Sequence, residues 1–151
     1  MNDIPNLLRI DDRLTTAGQP TERQLGAVAH AGFEVVINLA LHDDPRYSLP
    51  DEPGVVRSLA MQYVHIPVQF GAPTGEDLQR FCDAMDAARH RKVFVHCAAN
   101  RRVTAFLGLY HVLRLGRNES DAFEPMRRIW EPDAVWGAFI ERTLRDRQAL
   151  A

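Results

Sequence analysis

Val93-Phe94-Val95-His96-Cys97-Ala98-Ala99-Asn100-Arg101-Arg102-Val103-Thr104 decides how the whole chain is read. Its first residues form a short apolar run with no polar alternation, the signature of a strand buried on both faces. Small residues follow Cys97, so backbone N–H groups can close around an anion. From about Arg101 to Leu115 the apolar spacing is helical, with Phe106, Leu109, Tyr110 and Leu113 on one stripe and Gly116 as punctuation. Strand, tight turn and helix in that order place Cys97 at the carboxyl edge of a sheet, where open α/β folds bind ligands.

Working outward, the flanking segments fit the same architecture. Leu7–Ile10 and Leu14–Ala17 read as short strands around a turn at Asp11-Asp12. Thr21 and Gln24 have capping-box spacing ahead of a helix carrying Leu25, Val28 and Ala29, closed by Gly32. Val35-Val36-Ile37 and Tyr63-Val64-His65-Ile66 are further strands. Between them a polar, proline-rich loop runs from Leu41 to Pro53, then a short helix around Val55–Ala60. Thr74 caps a helix whose Leu78, Phe81, Cys82 and Met85 share a face. Phe123, Met126 and Trp130 predict another helix, with Pro125 near its start and Pro132 beyond its end. Trp136, Phe139, Ile140 and Leu144 mark the last one. Strands alternating with helices predict an α/β fold: one three-layer domain over residues 1–151, its mostly parallel sheet of four to five strands covered by helices on both faces.

Bulk properties narrow the function. Eighteen Lys and Arg against twenty Asp and Glu leave a formal net charge of -2, so no global field attracts nucleic acid. The apolar runs fall well short of the ~20 residues a spanning helix needs, and the start of the chain lacks signal-peptide character, so no membrane partner and a reducing cytoplasm are expected. The two cysteines do not form an exported disulfide pattern. Cys82, on an apolar helical face, reads as a core residue. The six histidines show no metal-ligand spacing with a neighbouring cysteine or carboxylate, so neither metal nor cofactor is expected.

The chemistry of the Cys97 turn is that of an activated nucleophile. An ordinary thiol, with a pKa of ~8.5, is only a few per cent thiolate at neutral pH. A helix N-terminus and a neighbouring arginine bring such a group into the range of roughly 3.5–7.5. The fork of Arg102 matches two phosphate oxygens in a way lysine does not. Ala98, Ala99, Asn100, Arg101, Val103 and Thr104 complete the candidate anion cradle. Asn100 is the residue there most tolerant of a left-handed conformation, and the Thr104 hydroxyl is placed to meet the thiolate or the phosphoryl group. His96 and Asn38 are expected to support the loop. Trp130 and Trp136 are expected in the core.

His96-Cys97 ending a strand, with Arg and then Thr opening the next helix, resembles the phosphate-binding loop of the protein tyrosine and dual-specificity phosphatases. Val36-Ile37-Asn38-Leu39, Tyr63-Val64-His65-Ile66-Pro67-Val68 and Phe81 before Val93 fall in the order and approximate spacing of small dual-specificity phosphatases. Gly18-Gln19-Pro20 and Ile129-Trp130-Glu131-Pro132 resemble an atypical bacterial subgroup, over about residues 5–145. The resemblance implies phosphomonoester hydrolysis through a phosphocysteine on Cys97, with a phosphorylated protein or small molecule as substrate.

Two departures accompany it. The family pattern has one more residue between cysteine and arginine, so Val103 stands at the arginine position and Arg102 must reach from ~100° around the helix axis. The loop that ordinarily bears the general-acid Asp reads Gln69-Phe70-Gly71-Ala72-Pro73, without a carboxylate. Glu131, returned to this edge by the Phe123–Trp130 helix, is the candidate substitute for positioning the leaving group or water. The shorter gap also fits a rhodanese-like sulfurtransferase with a Cys97 persulfide, and the missing Asp fits a non-catalytic phosphate-binding module.

Overall fold

The computed structural model describes residues 1–46 and 48–150, with side chains described through residue 147. β1 (Leu8–Arg9) and β2 (Leu14–Ala17) form an antiparallel ribbon. α1 (Glu22–His30), β3 (Val35–Asn38), α2 (Glu52–Ser58) and β4 (Gln62–His65) follow, then α3 (Gly75–Ala87) and β5 (Val93–His96). The chain ends in α4 (Arg101–Leu113), α5 (Glu119–Ala122), α6 (Glu124–Ile129) and α7 (Ala134–Leu150). The five-stranded sheet has the order β1-β2-β5-β3-β4, parallel except for β1. The α/β expectation holds, and β5 occupies the centre, with Phe94 and Val95 fully buried.

The pleat explains why these strands carry consecutive apolar residues. Val36 and Phe94 point to the face covered by α1 and α2, where they meet Leu25, Val28 and Val56. Val35, Ile37, Val93 and Val95 point to the other, packed with Phe81, Phe106 and Trp136. Thr21 forms the expected capping box with Gln24, and Thr74 caps α3 by accepting from the Asp77 N–H. Cys82 is core, as anticipated, and burial pushes its thiol up to about 11.

Three segments depart from the sequence expectation. α4 shows no single stripe: Arg102 through Val112 are all buried, because the helix lies between the sheet and the surrounding helices. Gly108 permits this, since a Cβ there would lie 2.2 Å from the Phe123 ring. α2 begins at Glu52, before the expected start near Val55. Asp51 accepts from the Gly54 N–H, and Pro53 sits in the first turn, where its missing donor is tolerated. Finally, the helix expected over Phe123–Trp130 is α6, one residue shorter at each end and preceded by the separate short α5, and Trp130 leaves α6 in an extended conformation with φ -165°. Trp130 is therefore half-buried and packs against the edge of the core, whereas Trp136 is fully buried within it. No helix among the described residues is long and apolar enough to cross a membrane.

Candidate active site

The end of β5 and the start of α4 enclose a pocket of about 320 Å³ lined by Phe70, Cys97, Ala98, Ala99, Arg101 and Arg102. Three of the loop residues expected from sequence, Cys97, Ala98 and Ala99, thus line it together with both arginines. Cys97 is 1% exposed, at the base of this pocket, and it is a free thiol.

Neighbouring segments fix the loop's shape. The Gln19 N–H donates to the Ala98 carbonyl at 3.0 Å. In a trans peptide the N–H points opposite the C=O, so the Ala99 N–H is turned away from Gln19. The Ala99 carbonyl accepts from Asn6 Nδ2 at 3.0 Å. Asn100 takes the left-handed conformation anticipated for it, with φ 63°. Its amide donates to the Asn6 carbonyl at 2.8 Å and to Thr16 Oγ1 at 2.9 Å. A residue without that amide would lose both anchors and the conformational tolerance together. Gly18 bridges to Ala99, and a Cβ there would lie 2.6 Å from the Ala98 carbonyl oxygen, so any other residue would displace the loop. α4 then begins at Arg101, and its first-turn N–H groups have no acceptors within the helix. Amides and helix dipole together favour an anion at this spot.

Arg102 is 8% exposed, and its Nη1 donates to the Val68 carbonyl at 2.9 Å. The guanidinium also lies 6.0 Å from the Phe70 ring centroid. Arg101 is exposed and stacks over Trp130 at 5.8 Å. Among the described residues no carboxylate pairs with either arginine. Two cations beside a positive helix end, without a counter-charge, form a locally unfavourable arrangement that an anionic ligand relieves. The shorter gap after Cys97 is therefore compatible with Arg102 facing the pocket: Phe70 and Val68 hold its side chain across the loop, and Val103 packs in the core.

Other expectations need correction. The Thr104 hydroxyl is not aimed at the pocket. It donates to the Asn100 carbonyl at 2.8 Å and approaches that of Arg101 at 3.1 Å, bracing the left-handed turn. Val103 can contribute only backbone, since its side chain is fully buried. The chain does return to this edge after α6, but what it delivers is Trp130, 5.8 Å from the Phe70 ring. Glu131 is exposed and lies outside the pocket lining, and Asp133 caps α7 by accepting from the Trp136 N–H at 2.9 Å. The loop that lacks the Asp contributes Phe70, whose carbonyl accepts from Trp136 Nε1 at 2.7 Å.

His96 and Asn38 meet at Glu52, a buried carboxylate absent from the sequence expectation. Glu52 is 1% exposed, and its Oε2 lies 2.7 Å from His96 Nε2. Gln19 Nε2 donates to the other carboxylate oxygen at 2.8 Å, and Asn38 Nδ2 donates to Oε2 at 3.2 Å. Burial works to raise the Glu52 carboxyl, but the hydrogen bond and charge of His96, together with Gln19, outweigh it and hold the group below the ordinary carboxylate range. Nothing local marks Glu52 for burial in a loop of prolines and acids. The one signal in the sequence is Gly18-Gln19-Pro20, which supplies its second partner.

The chain is similar to several known proteins. A family described as DSP-PTPase phosphatase fused to NAD+ kinase matches residues 6–128. A beta-lactamase hydrolase-like protein of Xylella fastidiosa is 29% identical over 124 residues, covering 77% of this chain. The chain spans only 28% of that relative's length. The structure of the DUF442 phosphatase of Shewanella putrefaciens CN-32 superimposes with a TM-score of 0.84 at 32% identity, covering 96% of this chain and 95% of that one. Tk-PTP in its active form gives 0.74 at 25% identity, covering 94% and 95%.

Proposed function

Because the chain belongs to the family of DSP-PTPase phosphatase domains described with an NAD+ kinase fusion, we propose that it hydrolyses phosphomonoesters through a phosphocysteine on Cys97. The observation that carries this reading is the buried Arg102, without a carboxylate partner among the described residues, on the same pocket wall as Cys97. In this mechanism the Cys97 thiolate attacks phosphorus in line with the leaving oxygen. The S–P bond forms as the P–O bond breaks. Arg102, the Ala99 amide and the first-turn amides of α4 hold the non-bridging oxygens, where charge concentrates in the transition state. Water then attacks the phosphocysteine, the P–S bond breaks, and phosphate departs as the thiolate is restored.

Among the described residues the pocket lining offers no carboxylate to protonate the leaving oxygen. Leaving groups that are stable as anions are therefore favoured, and Phe70, backed by Trp130, gives the pocket an aromatic wall. An aryl phosphate, free or on a protein, fits both features. A free Cys97 thiol suits a reducing compartment such as the cytoplasm.

A side-by-side assay with an aryl phosphate and with thiosulfate plus cyanide tests the reading. Turnover of the phosphate alone, faster as the phenol becomes more acidic, is expected. Thiocyanate formation without phosphate release would assign Cys97 to persulfide chemistry instead. Tight phosphate binding with neither activity would leave a binding module.

A further inference from the structure

We infer that Glu52 is a positioning residue for the Cys97 loop, holding His96 as a donor on both ring nitrogens so that a positive charge sits next to the nucleophile. The inference rests on the reading of Cys97 as nucleophile, and it adds a residue from a different helix to that site.

Geometry carries it. The side chains of Glu52 and His96 are both 0% exposed. On one side of the imidazole, Nε2 faces the Glu52 carboxylate at 2.7 Å. On the other, Nδ1 faces the carbonyl oxygen of Cys97 at 3.3 Å. Both partners are acceptors. A neutral imidazole would turn a lone pair toward one of them, whereas the doubly protonated ring donates to each. Glu52 has the donors needed to remain ionised in the interior, from Gln19, Asn38 and His96. The result is a buried ion pair lying across the sheet edge. Its positive member immediately precedes Cys97, and its negative member is on the far side of the ring.

The surrounding charges do not replace Glu52 in this role. Tyr63, from β4, accepts from Asn38 and is held neutral by burial and by Glu52 itself. His42, after β3, meets Tyr63 at 2.9 Å and stacks on His65 of β4 at 4.0 Å. Burial and the neighbouring His65 push His42 down, so it adds little positive charge. Arg57 of α2 acts on Tyr63. Arg101 and Arg102 line the pocket with Cys97 rather than packing on Glu52. Glu52 is the carboxylate paired with His96 among the described residues.

Glu52→Gln keeps size and a hydrogen-bonding end but removes the charge. His96 then loses the anionic acceptor that its Nε2 faces, and the charge beside the thiolate loses its counter-ion. Rates of Cys97 alkylation by iodoacetamide, measured against pH in the wild-type protein and in Glu52→Gln, read this directly. The midpoint should move upward by about one pH unit, making alkylation below the midpoint about tenfold slower. The acid limb of kcat/KM should shift with it, with KM changing less than kcat. A lower melting temperature with an unmoved alkylation midpoint would reduce Glu52 to a brace between α2 and the loop and overturn the inference. Should the variant not fold, ¹⁵N spectra of the wild-type histidines decide. Protons on both His96 nitrogens at neutral pH are expected, and a single-proton tautomer overturns it. Neither alkylation nor the spectra require turnover. A shifted midpoint in a protein inactive on aryl phosphates would refute the phosphatase reading and leave this one standing.

Discussion

Cys97→Ser is expected to lower aryl-phosphate turnover by at least about 10³-fold while phosphate still binds the loop. A serine hydroxyl is a far weaker nucleophile at neutral pH, and among the described residues no base lines the pocket to activate it. The cradle survives the change, because its shape comes from groups other than sulfur. Gln19 and Asn6 hold the Ala98 and Ala99 carbonyls outward, and Asn100 is anchored to Asn6 and Thr16. Phosphate affinity of the variant, measured by calorimetry, should remain within a fewfold of the wild-type value. Loss of binding together with turnover would mean that the sulfur maintains the loop, and would remove the separation between nucleophile and cradle on which the mechanism depends.

The second large effect is expected at Arg102. Its guanidinium has to hold the Val68 carbonyl and still present donors to the pocket, which a planar fork with five N–H groups can do. A lysine ammonium at the same position cannot satisfy both from one point. Arg102→Lys and Arg102→Ala should each reduce kcat/KM by about 10²–10³, the range found for removing one preorganised donor to a developing anion, or ~2.7–4 kcal/mol of transition-state stabilisation. The loss should fall mostly on kcat. Arg101→Ala, by contrast, removes an exposed side chain resting on Trp130 and should cost about tenfold or less, mainly in KM. Melting temperatures separate these effects from damage to the core, because Arg102 is itself buried. A larger loss at Arg101 than at Arg102 would reverse the two assignments.

How much of this could be read from the sequence follows from the range of the interactions involved. The β5–Cys97–α4 unit is contiguous, so its strand pattern, small turn and helix start all lie within one stretch. The remaining parallel strands were legible for the same reason, as short β-branched runs. The supports of the loop were not. Asn100 is anchored to Thr16 across 84 residues, and His96 to Glu52 across 44. No local pattern distinguishes that Glu from the exposed acids around it. The apolar signal of Trp130 predicts a core residue, yet the extended turn after Ile129 leaves it half-buried beside Phe70, which lines the pocket. Glu131 shows the converse error: the chain does run back toward the catalytic edge, but the charged side chain at that turn faces solvent. Even the all-round burial of α4 depended on what packs around it, which only the assembled fold reveals.

The phosphocysteine itself offers the most direct test. Wild-type protein mixed with an aryl phosphate, quenched in acid within the first turnovers and digested with protease, should yield the peptide containing Cys97 with one phosphoryl group attached at sulfur. The adduct should be absent from Cys97→Ser treated in the same way. Phosphate release at the wild-type rate by the Cys97→Ser protein, or a phosphoryl group trapped on another residue, would contradict the account.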